Sequence, residues 1–339
     1  MMSRELPNVP LGRGGPAVPV LGLGCMAMTG SYGARDAGEA LRTIHHAVDR
    51  GVTLIDTADM YGWGANEELV GRALAARPGL RQQVQIATKF GFVRPDGGGD
   101  LRGIDGRPER VPLALEASLR RLGTDVVDLW YLHRLDPDVP VEETVGAMAE
   151  EVRKGRVKQI GLSEVSPATL RKAAGIYPIA AVQSEFSLVS REPENGLLAA
   201  CAETGTSFVA YGALGRGLLA GSVGGGGLAA DDGRKIYPRF APENLARNAD
   251  LAGRLAALAA ERNTTPAALA LAWVLAAGTE AAPVIALFGA SRTSRVDDNL
   301  AALTLPLTEE DRAAISAAVP PGLVAGERYA PDRMAAIDR

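Results

Sequence analysis

From Val18 onward, short apolar runs alternate with segments whose apolar residues recur at helical spacing, and the alternation repeats eight times. The runs predict strands at Val18–Leu23, Thr53–Asp56, Val84–Lys89, Val127–His133, Val157–Ser163, Ala180–Gln183, Ser207–Tyr211 and Pro283–Phe288. Each is nearly continuous in apolar residues, as a parallel strand buried on both faces should be. The intervening segments predict amphipathic helices. Ala40, Leu41, Ile44, Ala47 and Val48 share one face of the first, and Leu69, Val70, Ala73 and Leu74 one face of the second. Pro108 opens a third with the stripe Leu113, Leu115, Leu119 and Leu122, and Val141–Lys154 gives a fourth. Ser166 is the N-cap of the fifth, with Pro167 at its first helical position. Leu197–Glu203, Leu251–Leu275 broken before Pro266, and Arg295–Leu303 complete the set. Eight strand-helix pairs predict an α/β protein, a single (β/α)8 TIM barrel spanning residues 1–339 rather than separate domains.

Three segments fall outside the repeat. Leu6–Val20 has turn chemistry at Gly12, Gly14 and Gly15, which suits an N-terminal hairpin plugging the bottom of the barrel. Residues 221–250, with Gly224–Gly227 and Pro238–Pro242, form a long loop expected to cover a bound cofactor. Beyond Leu307, an extra C-terminal helix is expected over Glu309–Val319, started by Thr308 and Asp311, followed by PPGLVAGERYAPDR with no clear period.

Charge and composition narrow the function. Lys and Arg number 36 against 40 Asp and Glu, a net charge of −4, so no overall basic field draws a polyanion and nucleic acid is not an expected partner. Two cysteines, Cys25 and Cys201, cannot build a disulfide framework or a four-thiolate metal site. The N-terminal residues hold no apolar stretch of signal-peptide length, and polar residues or prolines interrupt every apolar run before it could span a membrane. A reduced, cytoplasmic protein without a membrane partner is expected. His45, His46 and His133 are the three histidines, and the first two diverge by about 100° on one helix, so no metal site is expected.

In a barrel of this kind, chemistry belongs at the C-terminal ends of the strands. LIDTADMYG ends its strand on Asp56 and places Tyr61 in the following loop; IATKFG ends on Lys89 and LWYLHR on His133. These types make a coherent set. A phenol is a poor acid at neutral pH, a nearby ammonium lowers its pKa, and a carboxylate keeps that ammonium charged despite burial. Tyr61 is thus the candidate proton donor, Lys89 and Asp56 its supports, and His133 the group that orients a substrate carbonyl. Lys89 is one of five lysines in the chain, and its position inside Ile-Ala-Thr-Lys-Phe-Gly argues against a casual surface charge.

IDTADMYG with NEELVGRAL, IATKFG, DLWYLHR, IGLSEVS, VQSEFSL, VAYGALGRGLL and GASRTSRVDDNLAAL resembles the aldo-keto reductase superfamily, in order, over roughly Val18–Leu303. The stretch Pro238, Arg239, Phe240, Pro242, Glu243, Asn244 and Asn248 is similar to that of bacterial and fungal single-domain members, including the pyridoxal reductase-like subgroup. The resemblance implies NADPH-dependent reduction of aldehydes or ketones to alcohols, and its catalytic tetrad falls on Asp56, Tyr61, Lys89 and His133. It also implies NADP(H) contacts. Ser163 and Gln183 match carboxamide-binding positions and Tyr211 the aromatic that stacks on nicotinamide. Gly212, Leu214 and Gly217 match backbone contacts to the pyrophosphate, where Arg216 could add charge. Gly24, Cys25 and Met26 match the nicotinamide-ribose approach, and Asp298 and Asn299 match adenine contacts. Glu164 stands where Asn is common beside the serine, Gly212 where a serine is common, and Cys25 replaces a common threonine.

Coenzyme choice has a physical argument too. Ser291, Arg292 and Arg295 lie at the start of a predicted helix, where guanidinium forks and free N–H groups suit a 2′-phosphate, so NADP(H) is expected over NAD(H). Met28, Tyr32, Trp63, Phe90, Phe92, Arg134 and Tyr237 are the expected substrate walls, around a small-molecule carbonyl compound. Arg134 could attract an anionic substituent or sit salt-bridged at the rim, and the second reading is preferred. Gly22-Leu23-Gly24-Cys25-Met26-Ala27 also fits G-x-G-x-x-A. That dinucleotide fingerprint needs a helix to open within the turn and an acid about 20 residues on, and Asp56 lies well beyond that spacing. A nicotinamide-nucleotide-binding regulatory subunit with negligible turnover is the alternative on the same scaffold, and a metal-assisted barrel hydrolase a third.

Overall fold

The computed structural model describes residues 6–30, 36–94, 103–221, 228–229 and 232–338. Eight strands close a barrel in sequence order: β1 (Leu21–Gly24), β2 (Leu54–Asp56), β3 (Gln85–Phe90), β4 (Val127–Leu132), β5 (Val157–Ser163), β6 (Ile179–Glu185), β7 (Ser207–Tyr211) and β8 (Val284–Gly289). Every neighbouring pair is parallel, and β8 meets β1 with Leu287 opposite Gly22. Alternation along each strand divides two cores. Leu54, Ala87, Leu129, Tyr131, Val209 and Ile285 fill the barrel interior, while Ile55, Ile86, Trp130 and Phe208 face the helical layer.

The helices sit where periodicity places them. They are α1 (Ala37–Asp49), α2 (Ala65–Ala76), α3 (Arg110–Leu122), α4 (Val141–Arg153), α5 (Pro167–Ile176), α6 (Leu197–Thr204), α7 (Pro242–Glu261), α8 (Pro266–Leu275), α9 (Thr293–Leu300) and α10 (Glu309–Ala318). The Ser166 hydroxyl accepts the N–H of Thr169 at the start of α5, and Thr308 with Asp311 closes a capping box on α10. Among the described residues, no helix is long and apolar enough to cross a membrane.

Three expectations are corrected. Val18 and Pro19 belong to an N-terminal hairpin (Asn8–Pro10 with Ala17–Pro19), and the first barrel strand begins only at Leu21. Pro19 has no N–H to donate, which separates the two pairings. Leu113 is 57% exposed, because α3 buries Val111, Ala114, Leu115, Ser118 and Leu122 instead, a face that Leu113 does not share. The loop expected over 221–250 gives way to α7 at Pro242, nine residues before the predicted Leu251, with proline in the first turn where its missing N–H costs nothing. Gly224–Gly227 lie outside the described residues. After β1 the chain makes a short 3-10 turn, Met26–Thr29, rather than the helix that a dinucleotide fingerprint requires.

The hairpin closes the barrel bottom. Leu11 and Val18 join the interior core, the Gly12 N–H donates to Ser207 Oγ at 2.8 Å, and Gln159 Nε2 donates to the Leu11 carbonyl at 2.8 Å. The opposite end stays open.

Candidate active site

At the open end lies a cleft of about 1070 Å³. Asp56, the last residue of β2, lines it, and Lys89, in β3, meets Asp56 just beneath its surface, since both side chains point into the barrel near its upper rim. Lys89 is 0% exposed, and its Nζ donates to Asp56 Oδ1 at 2.5 Å, to the Thr57 carbonyl at 2.8 Å and to Tyr61 Oη at 3.4 Å. All three ammonium protons therefore have acceptors. Gln183 Nε2 donates to the other Asp56 oxygen at 2.8 Å. The Tyr61 ring stands edge-on to the His133 imidazole, with centroids 5.9 Å apart. His133 follows β4 and continues its ladder, its backbone N–H donating to the Phe90 carbonyl at 2.8 Å.

The local chain is bent to hold Tyr61 there. Gly62, Trp63 and Gly64 have φ of 58°, 51° and 100°, so three successive residues are left-handed, an arrangement that a tryptophan adopts only under constraint. Asn66 supplies part of it: it accepts from Thr57 Oγ1 at 2.6 Å and donates to the Cys25 carbonyl at 2.8 Å.

Burial dominates the electrostatics. It pushes the Asp56 carboxyl up and the Lys89 ammonium down, and each is opposed by the charge of the other. Burial, with the Asp56 charge added, also pushes the Tyr61 phenol well above its ordinary range. This reverses the expected lowering, because removing water from a phenolate costs more than the neighbouring charges return. The phenol is held protonated throughout the neutral range.

All the expected cofactor residues line this cleft except Cys25. The Cys25 side chain is fully buried beneath Gly24 and Met26, and burial pushes its thiol up. Ser163 accepts from Arg134 Nη1 at 3.2 Å, and the Tyr211 hydroxyl pairs with that of Tyr329 at 2.7 Å. Gly212, Gly215 and Gly217 have positive φ, and a Cβ at Gly212 would lie 3.1 Å from Glu185 Cγ. Backbone rather than side chain is thus presented here. The Arg216 guanidinium is engaged within the protein: its Nη2 donates to Glu185 Oε2 at 2.7 Å, and it packs against the rings of both Tyr237 and Tyr329. Arg239 reaches the same carboxylate, 3.3 Å away. Burial raises the Glu185 carboxyl, but the charges of Arg216, Arg239 and Arg328 outweigh it and hold the group below its ordinary value.

At the far end of the cleft, Arg292 caps α9 and Ser291, Arg295, Asp298 and Asn299 stand beside it. Two guanidiniums at a helix N-terminus oppose the helix dipole, an arrangement relieved by an anion. A dinucleotide with a phosphate at one end fits this donor set.

Phe92, Arg134 and Tyr237 line the cleft near Tyr61. Other expected wall residues do not. Phe90 is buried outside the barrel, stacked on Trp130 with centroids 4.2 Å apart, because the residue after inward-pointing Lys89 must point outward. Met28 packs into the helical core, and Trp63 lines a separate cavity with Asp59 and Arg94. Tyr32 lies outside the described residues. Sequence reasoning missed Tyr329, Asp332, Arg333 and Ala336, which bring the C-terminal segment onto the cleft. Arg328 anchors it, its two terminal nitrogens lying 3.0 Å and 2.8 Å from Glu164 Oε1 and Oε2. The charged and aromatic ERYAPDR run was the only available signal.

Residues 20–320 match the model of the aldo/keto reductase family. The chain belongs to that family. This aldo/keto reductase is 43% identical over 330 residues, 97% of its length and 93% of the relative's, to "Probable aldo-keto reductase 1" of Glycine max. Among solved structures it is similar to the glycerol dehydrogenase AKR11B4 from Gluconobacter oxydans, with a TM-score of 0.82 and 31% identity over 95% of this chain and 97% of that one. It is also similar to the aldo-keto reductase AKR11C1 from Bacillus halodurans in its holo form, with a TM-score of 0.76 and 29% identity over 94% of this chain and 97% of that one. As an aldo/keto reductase the protein is an oxidoreductase of small carbonyl compounds that works with a nicotinamide cofactor.

Proposed function

We propose that this aldo/keto reductase reduces aldehydes or ketones to alcohols with NADPH, with Tyr61 as the proton donor. The observation that carries the proposal is the Lys89 ammonium, hydrogen-bonded to both Asp56 and Tyr61 on the wall of the cleft. NADPH supplies the hydride when bound. Tyr61, protonated at neutral pH, gives its proton to the carbonyl oxygen as charge develops there. Lys89 donates to the phenol oxygen and so stabilises the phenolate left behind, and Asp56 keeps the ammonium charged against burial. His133 orients the carbonyl by a hydrogen bond.

Ser163 and Gln183 are proposed to hold the carboxamide and Tyr211 to support the ring. The backbone of Gly212, Leu214 and Gly217 receives the pyrophosphate, and Gly24 and Met26 flank the ribose. Ser291, Arg292 and Arg295 take the 2′-phosphate, with Asp298 and Asn299 at the adenine. Within the expected 221–250 loop, the described residues from Asp232 onward are proposed to cover the cofactor, a reading supported by Arg234 and Tyr237 on the cleft wall. Two buried free thiols, Cys25 and Cys201, suit the reducing cytoplasm.

The test is steady-state oxidation of NADPH with a panel of aldehydes and ketones, beside fluorescence titration of both coenzymes. Repeated turnover with NADPH is expected, and tight NADPH binding with no cycling would leave only a nucleotide-sensing role. Arg292→Ala or Arg295→Ala should raise the NADPH dissociation constant about tenfold, about 1.4 kcal/mol, and leave NADH nearly unchanged. An equal effect on both coenzymes removes the 2′-phosphate assignment.

A further inference from the structure

Among the described residues, Arg134 is a buried guanidinium with no carboxylate paired to it. Its side chain lines the cleft beside His133 and is only 8% exposed. Its Nη1 donates to two neutral oxygens, the His133 carbonyl at 2.6 Å and Ser163 Oγ at 3.2 Å. Among the described residues no carboxylate lies within ion-pair distance of it, so it is neither salt-bridged nor at the rim. The acids around it are engaged elsewhere: Asp56 by Lys89, Glu185 by Arg216 and Arg239, and Glu164 by both terminal nitrogens of Arg328. Asp332, on the exposed rim, makes no ion pair with it. A guanidinium cannot shed its proton, and a buried charge without a counter-ion is costly. Arg328 shows the contrast, an equally buried guanidinium whose carboxylate faces it.

The missing counter-ion has a defined place. The Phe92 ring neighbours both groups, with the His133 imidazole 5.0 Å and the Arg134 guanidinium 6.0 Å from its centre. A molecule whose carbonyl meets Tyr61 and His133 can thus lay an apolar spacer on Phe92 and reach Arg134 with its other end. A planar guanidinium takes a carboxylate by two parallel hydrogen bonds. Resting on the carbonyl-reductase reading above, we propose that the substrate is an oxo acid, a carbonyl compound carrying a carboxylate, and that Arg134 is the residue that selects it.

Two aldehydes of nearly the same shape test this, 4-carboxybenzaldehyde and its methyl ester. The wild-type protein should favour the carboxylate in kcat/KM by tenfold or more, mainly through KM, and Arg134→Gln should bring the ratio close to one, with Arg134→Lys restoring part of it. Calorimetric titration of the unreactive 4-(hydroxymethyl)benzoate against 4-methylbenzyl alcohol gives a second readout, in which only the wild type and Arg134→Lys should prefer the acid. A wild-type ratio within twofold of one overturns the proposal whatever the variants do. So does a carboxylate preference that survives Arg134→Gln, which would seat the anion against Tyr61 and His133 instead. A larger preference for glyceraldehyde 3-phosphate over glyceraldehyde than for the carboxylate over the ester overturns the oxo-acid assignment in favour of a phosphate. If neither aldehyde is reduced but the acid still binds through Arg134, the carbonyl-reductase reading fails while the anion site stands.

Discussion

The two ends of this barrel are built on opposite principles. At the bottom, the hairpin fills the opening with Leu11 and Val18 and is tied to the barrel by hydrogen bonds between neutral groups, Gly12 to Ser207 and Gln159 to Leu11. At the top, Lys89, Asp56, Glu164, Glu185, Arg134, Arg239 and Arg328 are all buried, and the non-glycine residues Trp63, Glu164 and Arg216 are held at positive φ. Charges and strain of this kind cost stability, and a fold keeps them only where the surroundings over-determine them. The bottom stabilises the barrel; the top spends part of that stability on chemistry.

The contrast is broken most severely at Tyr61. Tyr61→Phe removes one hydroxyl from the top and should lower kcat by about 10²–10⁴-fold, with the urea midpoint little changed and coenzyme affinity retained. Full activity in this variant ends the proton-donor assignment. Lys89→Met comes next. It strands the buried Asp56 carboxylate and should cost about 3–5 kcal/mol in stability as well as activity, and adding Asp56→Asn should restore stability but not turnover. If the single and double variants are equally stable, the pair is not the interaction described here.

The bottom gives the reciprocal test. Gly12 has φ of 74°, and a Cβ there would approach Ala180 Cα to 2.8 Å. Gly12→Ala should lose about 1–3 kcal/mol in a urea melt while the folded protein keeps its kcat and KM; a kinetic change without a stability change would erase the division between the two ends. The last test concerns Asp59, two residues before Tyr61. Burial, with the Glu67 charge added, pushes its carboxyl up to about 8. Between the ordinary value of 3.8 and about 8 the folded state binds a proton that the unfolded state has released. Stability should therefore fall as pH rises through that window, by at most about 1.4 kcal/mol per pH unit, and level off above it. Urea midpoints at pH 5, 6.5 and 8 should show this slope in the wild type and a flatter one in Asp59→Asn. Parallel slopes refute the assignment.

Much of this was legible before any coordinates. Strands follow from short, nearly continuous apolar runs and helices from a period of 3.6, and the four polar residues of the tetrad announce themselves by ending or following apolar strands. Side-chain direction was harder. Lys89 and Phe90 are neighbours in sequence, yet one faces the barrel interior and the other the helices, and the register that decides this depends on strands far along the chain. The C-terminal segment was illegible for a related reason: it has no period, and Arg328 meets Glu164 across 164 residues.

The sequence alone determined the alternating pattern, hence the barrel, and which strand ends carry ionisable groups, because these are local properties of spacing and residue type. Only the tertiary structure decided how those groups are matched. Lys89 found Asp56, Arg328 found Glu164 and Arg134 found no acid among the described residues, since pairing depends on closure of the barrel and on a tail folding back across its mouth. Closure and fold-back depend on contacts between residues far apart in the chain, which local spacing does not encode.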